Sequence, residues 1–410
     1  MKHFEKIPAY VSEIITTLKN NSYKAYIVGG SVRDLYMNKT PNDYDICTSA
    51  LPEQVERIFK NKYKIIETGL RHGTVSVLCK NNLVEITTFR IDGDYIDNRR
   101  PSSVSFTRNL FDDLKRRDFT INALVYSESD GLLDYFDGKN DIKNKIIKCI
   151  GNPEQRFAED ALRILRALRF SVKLDFNIEA STCAAIKKSD YLLQNIARER
   201  VFCELEQMFK CANPQRLASV LIEYRNVLEK VIKICINNHE YASVCKNVAN
   251  ISFDSSKRIV YYLCSIVKTQ TDLIDNLSGL KVSNDFKNML IGVFEVIKIN
   301  RELTSIIEAK KAVNDYGYAV CEIAAHLLAD TDINRDFLLN LGIISEKNMC
   351  VSLKQLAVNG NDIKNKFGIH GKLVGKILST ILVMVIEEKV SNEKEVLLEV
   401  AKEILTKSDN

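Results

Sequence analysis

Two spacings of apolar residues divide the chain. Within the first 150 residues, short β-branched runs (AYIVGG, DYDICTS, GTVSVLCK and LVEITTF) alternate with turns and helical stretches. Runs of this length bounded by Gly, Asn and Asp predict strands. Beyond them apolar residues recur at helical spacing, as in RLASVLIEYRNVLEKVIKICI and EKEVLLEVAKEIL, and all six prolines lie at or before Pro214. The pattern predicts an α+β fold: a head over residues 1–150 with a mixed sheet, then an all-α remainder. TVSVLCK and LVEITTFR are expected to pair as an antiparallel hairpin with Asn81-Asn82 in the turn. Residues 91–105, IDGDYIDNRRPSSVS, are polar and aperiodic and are expected to form a mobile loop. The opening segment is interrupted by Lys2, Glu5, Lys6 and Glu13, so it reads as an amphipathic helix rather than a signal peptide.

A chain of 410 residues exceeds one ordinary core. With 46% hydrophobic and 27% charged residues it has the composition of a soluble globular protein. No apolar run approaches the roughly 18 residues of a membrane span. Eleven cysteines without a CxxC pair point to reduced thiols in a cytoplasmic protein, not to a disulfide framework or a zinc site. A net charge of +5 is compatible with an anionic partner.

The chemistry is concentrated in four places. Tyr26-Ile27-Val28-Gly29-Gly30 reads as a strand entering a glycine turn and then a short helix. Such a turn lets backbone N–H groups approach an anion, and Arg33 one turn later adds a charge suited to phosphate. Asp43 and Asp45 stand at i and i+2, so on a strand both carboxylates leave one face, as a two-Mg²⁺ site requires. Glu85, between apolar neighbours on a later strand, is either a third ligand or the polar face of an alternating strand. In RRDFTINA, Arg116 and Arg117 suit triphosphate or RNA backbone, while Asp118 and Asn122 at i, i+4 would share a helix face and reach a ribose.

The stretch from Glu159 to Arg169, EDALRILRALR, carries two helical stripes. Leu162, Leu165 and Leu168 form one; Asp160, Arg163, Arg166 and Arg169 form the other. An Asp–Arg pair on a helix is ordinarily a surface ion pair. It also matches the amino donor and ring-nitrogen acceptor that cytosine and adenine share, and it mismatches guanine and uracil. Arg166 and Arg169 would meet phosphate or brace the pair.

GGSVRD with DYD, RRDFTINA, DYFDG at 134–138, EDALRILRALRF and RERVFCELEQMF at 198–209 together resemble one family. It is that of the class II tRNA nucleotidyltransferases and bacterial poly(A) polymerases, within the nucleotidyltransferase superfamily. The resemblance implies a seahorse-like chain of catalytic head (1–150), helical neck (151–214), body (215–345) and tail (346–410). It implies Mg²⁺ at Asp43 and Asp45, and nucleotide contacts at Gly30, Arg33, Arg117, Asp160, Arg163, Arg166 and Arg169. Arg116, Asp118, Asn122 and Glu159 would be auxiliary or ribose-reading positions. The implied reaction is template-independent addition of C, C and A to the 3′ end of tRNA from CTP and ATP. Poly(A) polymerases and CC-only or A-only relatives are the alternatives. The segment DGDYIDNRRPSSVSFTRNLFDDLKRRD is similar to the intact loop of full CCA-adding members. The five histidines form no His-Asp phosphohydrolase motif, so no phosphatase activity is expected. The tail stretch QLAVNGNDIKNKFGIHGKLVGKIL is either a tRNA-body contact or a packing unit. No membrane or obligate protein partner is implied.

Overall fold

The computed structural model describes residues 4–66, 73–79, 81–93, 95–96, 100–211, 213–251, 254–330 and 334–408. The chain divides into two compact units, one of residues 1–233 with 245–250 and one of residues 234–244 with 251–410.

The first unit is built on a mixed sheet. Its strands are β1 (Ala25–Val28), β2 (Asp45–Thr48), β3 (Lys64–Ile66), β4 (Thr74–Cys79) and β5 (Asn82–Thr88), with two more from further along. Helices α1 (Ala9–Asn20), α2 (Gly30–Tyr36) and α3 (Pro52–Phe59) intervene. The chain then forms short strands β6 (Arg90–Asp92), β7 (Tyr95–Ile96), β8 (Arg100–Pro101) and β9 (Val104–Phe106), helix α4 (Leu110–Lys115), and β10 (Val125–Ser127) and β11 (Gly131–Leu133). The sheet order is β11-β10-β1-β2-β5-β4-β3, and only β2 and β5 run parallel. All four residues of β1 are buried, as a central strand covered on both faces requires. On one face Tyr26, Val28, Cys47, Phe89 and Val125 pack against Leu110 and Leu114 of α4. α1 contributes Val11, Ile14, Ile15 and Leu18, the buried stripe of an amphipathic helix.

Two expectations for this region are corrected. The β4–β5 hairpin pairs Cys79 with Asn82, so Asn82 is already strand rather than turn. Asn81 supplies the left-handed turn conformation with φ 67°. Pairing the buried Val75 and Val77 with Ile86 and Val84 sets this register. The described part of the expected loop 91–105 is a β-ribbon, β6 pairing with β9 and β7 with β8. Ile91 and Phe106 on it are exposed. Its strands are only two or three residues long, too short to show a period in the sequence. Residues 94 and 97–99 of that stretch lie outside the described residues.

After α5 (Gly138–Lys143) come the helices α6 (Pro153–Glu159), α7 (Leu162–Leu174), α8 (Ala180–Ser189), α9 (Arg198–Phe209) and α10 (Pro214–Glu223). Pro at the first helical position and the Asn152 side chain accepting from Gln155 N start α6. Leu162, Leu165 and Leu168 of α7 are buried as the stripe predicts. α9 and α10 pack on α7, so the first compact unit runs past residue 214.

The second unit is helical among its described residues, from Ser255–Ser265 through Lys394–Ser408. Its last helices enclose Ile363, Val374, Ile377, Ile381 and Leu397. Lys310, nearly buried in the helix Ile306–Tyr316, reaches Glu388 at 2.9 Å. All of the expected tail, and the expected body from residue 251 on, lie in this second unit. Among the described residues, no single helix is long and apolar enough to cross a membrane.

Candidate active site

The strand pairing brings the head's acids together. Asp45 opens β2 and stands beside Glu85 of β5 in the parallel register. Asp43, Asp45 and Glu85 are exposed, while Tyr44, Ile46, Val84 and Ile86 between and beside them are buried. The alternation expected of a strand thus puts the carboxylates on the open side. Among the described residues none of the three makes an ion pair. Partial desolvation at the strand's end pushes the Asp45 carboxyl up to about 6, and Asp43 and Glu85 push the same way. Arg117 opposes them. Crowded acids that make no ion pair are what a divalent cation would relieve, so the donor set fits a hard cation taking oxygen ligands. Among the described residues no three acids, histidines or cysteines already stand as a formed metal cage.

At the end of β1, next to Asp45 in the sheet, the chain enters the glycine turn. Gly29 has φ 79° and ψ −135°, a conformation closed to residues with a Cβ. A Cβ there would also stand 3.7 Å from Arg117 Nη1, which places that guanidinium against the turn. Arg117 Nη2 donates to Asp113 at 3.2 Å, and its Nε is buried without a partner. Arg116 also binds Asp113, at 2.6 and 3.0 Å. Burial would raise the Asp113 carboxyl, but the two guanidiniums outweigh it and hold it below the usual carboxylate range. Asp113 thus anchors both arginines, a role its sequence context did not announce.

Arg33 is not presented to solvent. Its side chain is 2% exposed, Nε donates to Asp34 at 2.9 Å and Nη1 to Asn122 Oδ1 at 2.6 Å. Gly30 lies directly against it, since a Cβ there would come 3.4 Å from Arg33 Nη2. Asp118 and Asn122 do meet, Asn122 Nδ2 donating to Asp118 Oδ1 at 3.1 Å, but not as partners on one α-helix. Phe119 is extended, and only residues 120–122 form a single 3₁₀ turn. Asp118 is 8% exposed, and Arg166 grips it through Nε at 2.9 Å and Nη2 at 2.7 Å. Burial alone would raise this carboxyl; Arg166, Asn122 and the Phe119 N–H together bring it down to about 2.

The expected Asp160–Arg163 pair is also rearranged. EDALRILRALR reads as one helix, yet Asp160 is extended at φ −141° and separates α6 from α7. Its carboxylate is held by Arg200 of α9, Nη2 at 2.9 Å and Nη1 at 3.3 Å, and by Leu162 N at 3.2 Å. Arg163, 8% exposed, donates to Glu159 at 2.7 Å and to the carbonyls of Arg156 and Arg116, both at 2.9 Å. Arg169 binds Glu204 of α9 at 2.5 Å. Arg200 and Glu204 lie in RERVFCELEQMF at i, i+4, so one face of α9 answers the charged stripe of α7. An open cleft of ≈ 560 Å³ lies beside this cluster, lined by Asp92, Lys115, Arg116, Arg156 and Glu159 among others.

The chain matches known families along most of its length. The model of the poly(A) polymerase head domain matches residues 25–148. A model described as the probable RNA- and SrmB-binding site of polymerase A matches 175–229, and one for tRNA nucleotidyltransferase domain 2 (putative) matches 251–401. The CCA-adding enzyme of Ligilactobacillus salivarius is 34% identical over 402 residues, spanning 96% of this chain and 95% of that protein. The fold is similar to that of the Bacillus stearothermophilus CCA-adding enzyme in complex with CTP, with TM-score 0.70 and 29% identity over 97% of this chain and 98% of that one. It is also similar to the Thermotoga maritima CCA-adding enzyme complexed with tRNA, with TM-score 0.65 and 21% identity over 98% and 97% of the two chains.

Proposed function

The chain belongs to the family of CCA-adding enzymes, and from that premise we propose that it adds C, C and A to the 3′ end of tRNA. The substrates are CTP and ATP, and pyrophosphate is released. The reading rests on one observation above the others: the clustered carboxylates of Asp43, Asp45 and Glu85 beside the Gly29–Gly30 turn. Asp43 and Asp45 would hold Mg²⁺, with Glu85 adjoining. When bound, such ions activate the attacking 3′ hydroxyl and neutralise charge on the leaving pyrophosphate.

The protein's own groups supply position and charge. The Gly29–Gly30 turn offers backbone close to the phosphates, and Arg117, held by Asp113, faces the same turn. Arg33 acts from beneath by fixing Asn122, which in turn holds Asp118. Asp160 reads the base. A carboxylate offers about four acceptor directions. Arg200 and Leu162 N take three and leave one on Oδ2 for the exocyclic amine that cytosine and adenine share. Glu159 lines the adjoining cleft and holds Arg163, and Arg166 and Arg169 supply further positive charge for the nucleotide.

The division into head, neck, body and tail is retained as a functional one, with tRNA contacts assigned to the tail. Full CCA addition is favoured over CC-only addition by the β6–β9 ribbon, which is present between the carboxylate strands and RRDFTINA. Asp43→Ala is expected to abolish incorporation of both C and A while leaving tRNA affinity within about twofold of wild type. Primer extension alongside a filter-binding titration checks this, and retained incorporation would remove the metal assignment.

A further inference from the structure

The arginines at the site crowd one aromatic ring. Phe170, 5% exposed, has the guanidinium carbon of Arg169 at 4.3 Å from its ring centroid, and those of Arg33 and Arg166 each at 5.4 Å. Two of these residues come from α7, at i−4 and i−1; Arg33 comes from α2 in the head. Each has its own acid: Asp34 for Arg33, Asp118 for Arg166, and Glu204 for Arg169. Those acids fix one edge of each guanidinium. The negative face of an aromatic ring attracts the planes, an attraction that strengthens away from water. Phe119 meets Phe170 at 5.9 Å and 82°, the edge-to-face geometry that holds the ring itself in place.

We propose that Phe170 is a positioning residue for nucleotide binding, its ring orienting Arg166 and Arg169 towards the triphosphate and Arg33 beneath the Gly30 turn. The inference rests on the nucleotidyltransferase reading above. The acids neutralise these charges along one edge and leave the guanidinium planes to be oriented by the ring, which an apolar side chain of equal volume would pack against but not attract. The ring therefore sets triphosphate affinity, for CTP and ATP alike. Base choice is set elsewhere, because Arg200 rather than Phe170 holds Asp160.

Fluorination drains a phenyl face of negative potential while leaving the side chain nearly isosteric, which separates electrostatics from packing. Full-length protein carrying mono-, di- or trifluorophenylalanine at position 170 is to be assayed for KM and kcat with CTP and ATP. CTP binding is measured on the same samples by calorimetry without tRNA. The expected result is a stepwise rise in KM and in the CTP dissociation constant, reaching roughly three- to tenfold for the trifluoro form. kcat should change less, and GTP and UTP should stay excluded. Phe170→Tyr should resemble wild type and Phe170→Leu the trifluoro form. Constants that stay flat across the fluorinated series would overturn the proposal, even if Phe170→Leu fails to fold. If wild type binds CTP but extends no tRNA, the proposed function fails while the binding series still decides the role of Phe170. Absence of CTP binding by wild type would overturn both.

Discussion

Asp118 keeps its charge in a place nearly closed to water because Arg166, Asn122 and a backbone N–H all point at it. A carboxyl lowered to about 2 in the fold, against roughly 3.9 in an unfolded chain, stabilises the fold fully above the higher value. That contribution disappears as pH falls through the lower one. Wild type should therefore be more stable than Asp118→Asn at pH 6, with the difference shrinking below about pH 4 and gone near pH 2. Denaturant melts across that range test the sign, and a gap that stays constant would show that the charge is not what stabilises. Asp160 is the opposite case, a carboxylate oriented by Arg200 with one acceptor direction open. Asp160→Ala should admit GTP and UTP, whose incorporation rises relative to CTP by roughly tenfold or more, as expected when one buried unpaired contact is removed. Unchanged exclusion of both would contradict the base-reading role.

α7 works as both core and site. Its Leu162, Leu165 and Leu168 are buried while Arg166 and Arg169 face acids of the first unit. Leu165→Ala should cost about 2–5 kcal/mol by thermal or chemical denaturation, as other large-to-small core changes do. A loss below about 1 kcal/mol would mean that the leucine face is not core. Elements of this kind were legible in the sequence because burial imposes a period: the apolar stripe of α7, the strands β1, β2, β4 and β5, and the i, i+2 acids all followed from it. The ribbon β6–β9 was not legible, since its strands are only two or three residues long. Nor was the break at Asp160, because no Gly or Pro marks it and EDALRILRALR satisfies a continuous helix. The acids and arginines that orient the site, Asp113, Arg200 and Glu204, sit 35 or more positions from some of their partners or look like ordinary helix charges. Only the tertiary fold brings them to bear.

For the whole molecule, the resemblance to CCA-adding enzymes extends along 96% of the chain at 34% identity, through both compact units. A head that transfers nucleotides to small molecules would not need the long helical second unit. A net charge of +5 is compatible with an anionic partner and specifies none. No disulfide joins any of the eleven cysteines in this structure.

The central claim is tested most directly by incubating the purified protein with Mg²⁺ and a tRNA lacking its last three nucleotides, and resolving the products at single-nucleotide length. With CTP alone the tRNA should grow by two residues, and with CTP and ATP by three, while GTP and UTP add nothing. A stop at two residues with both nucleotides present, a long ladder from ATP alone, or no extension under any mixture would contradict CCA addition.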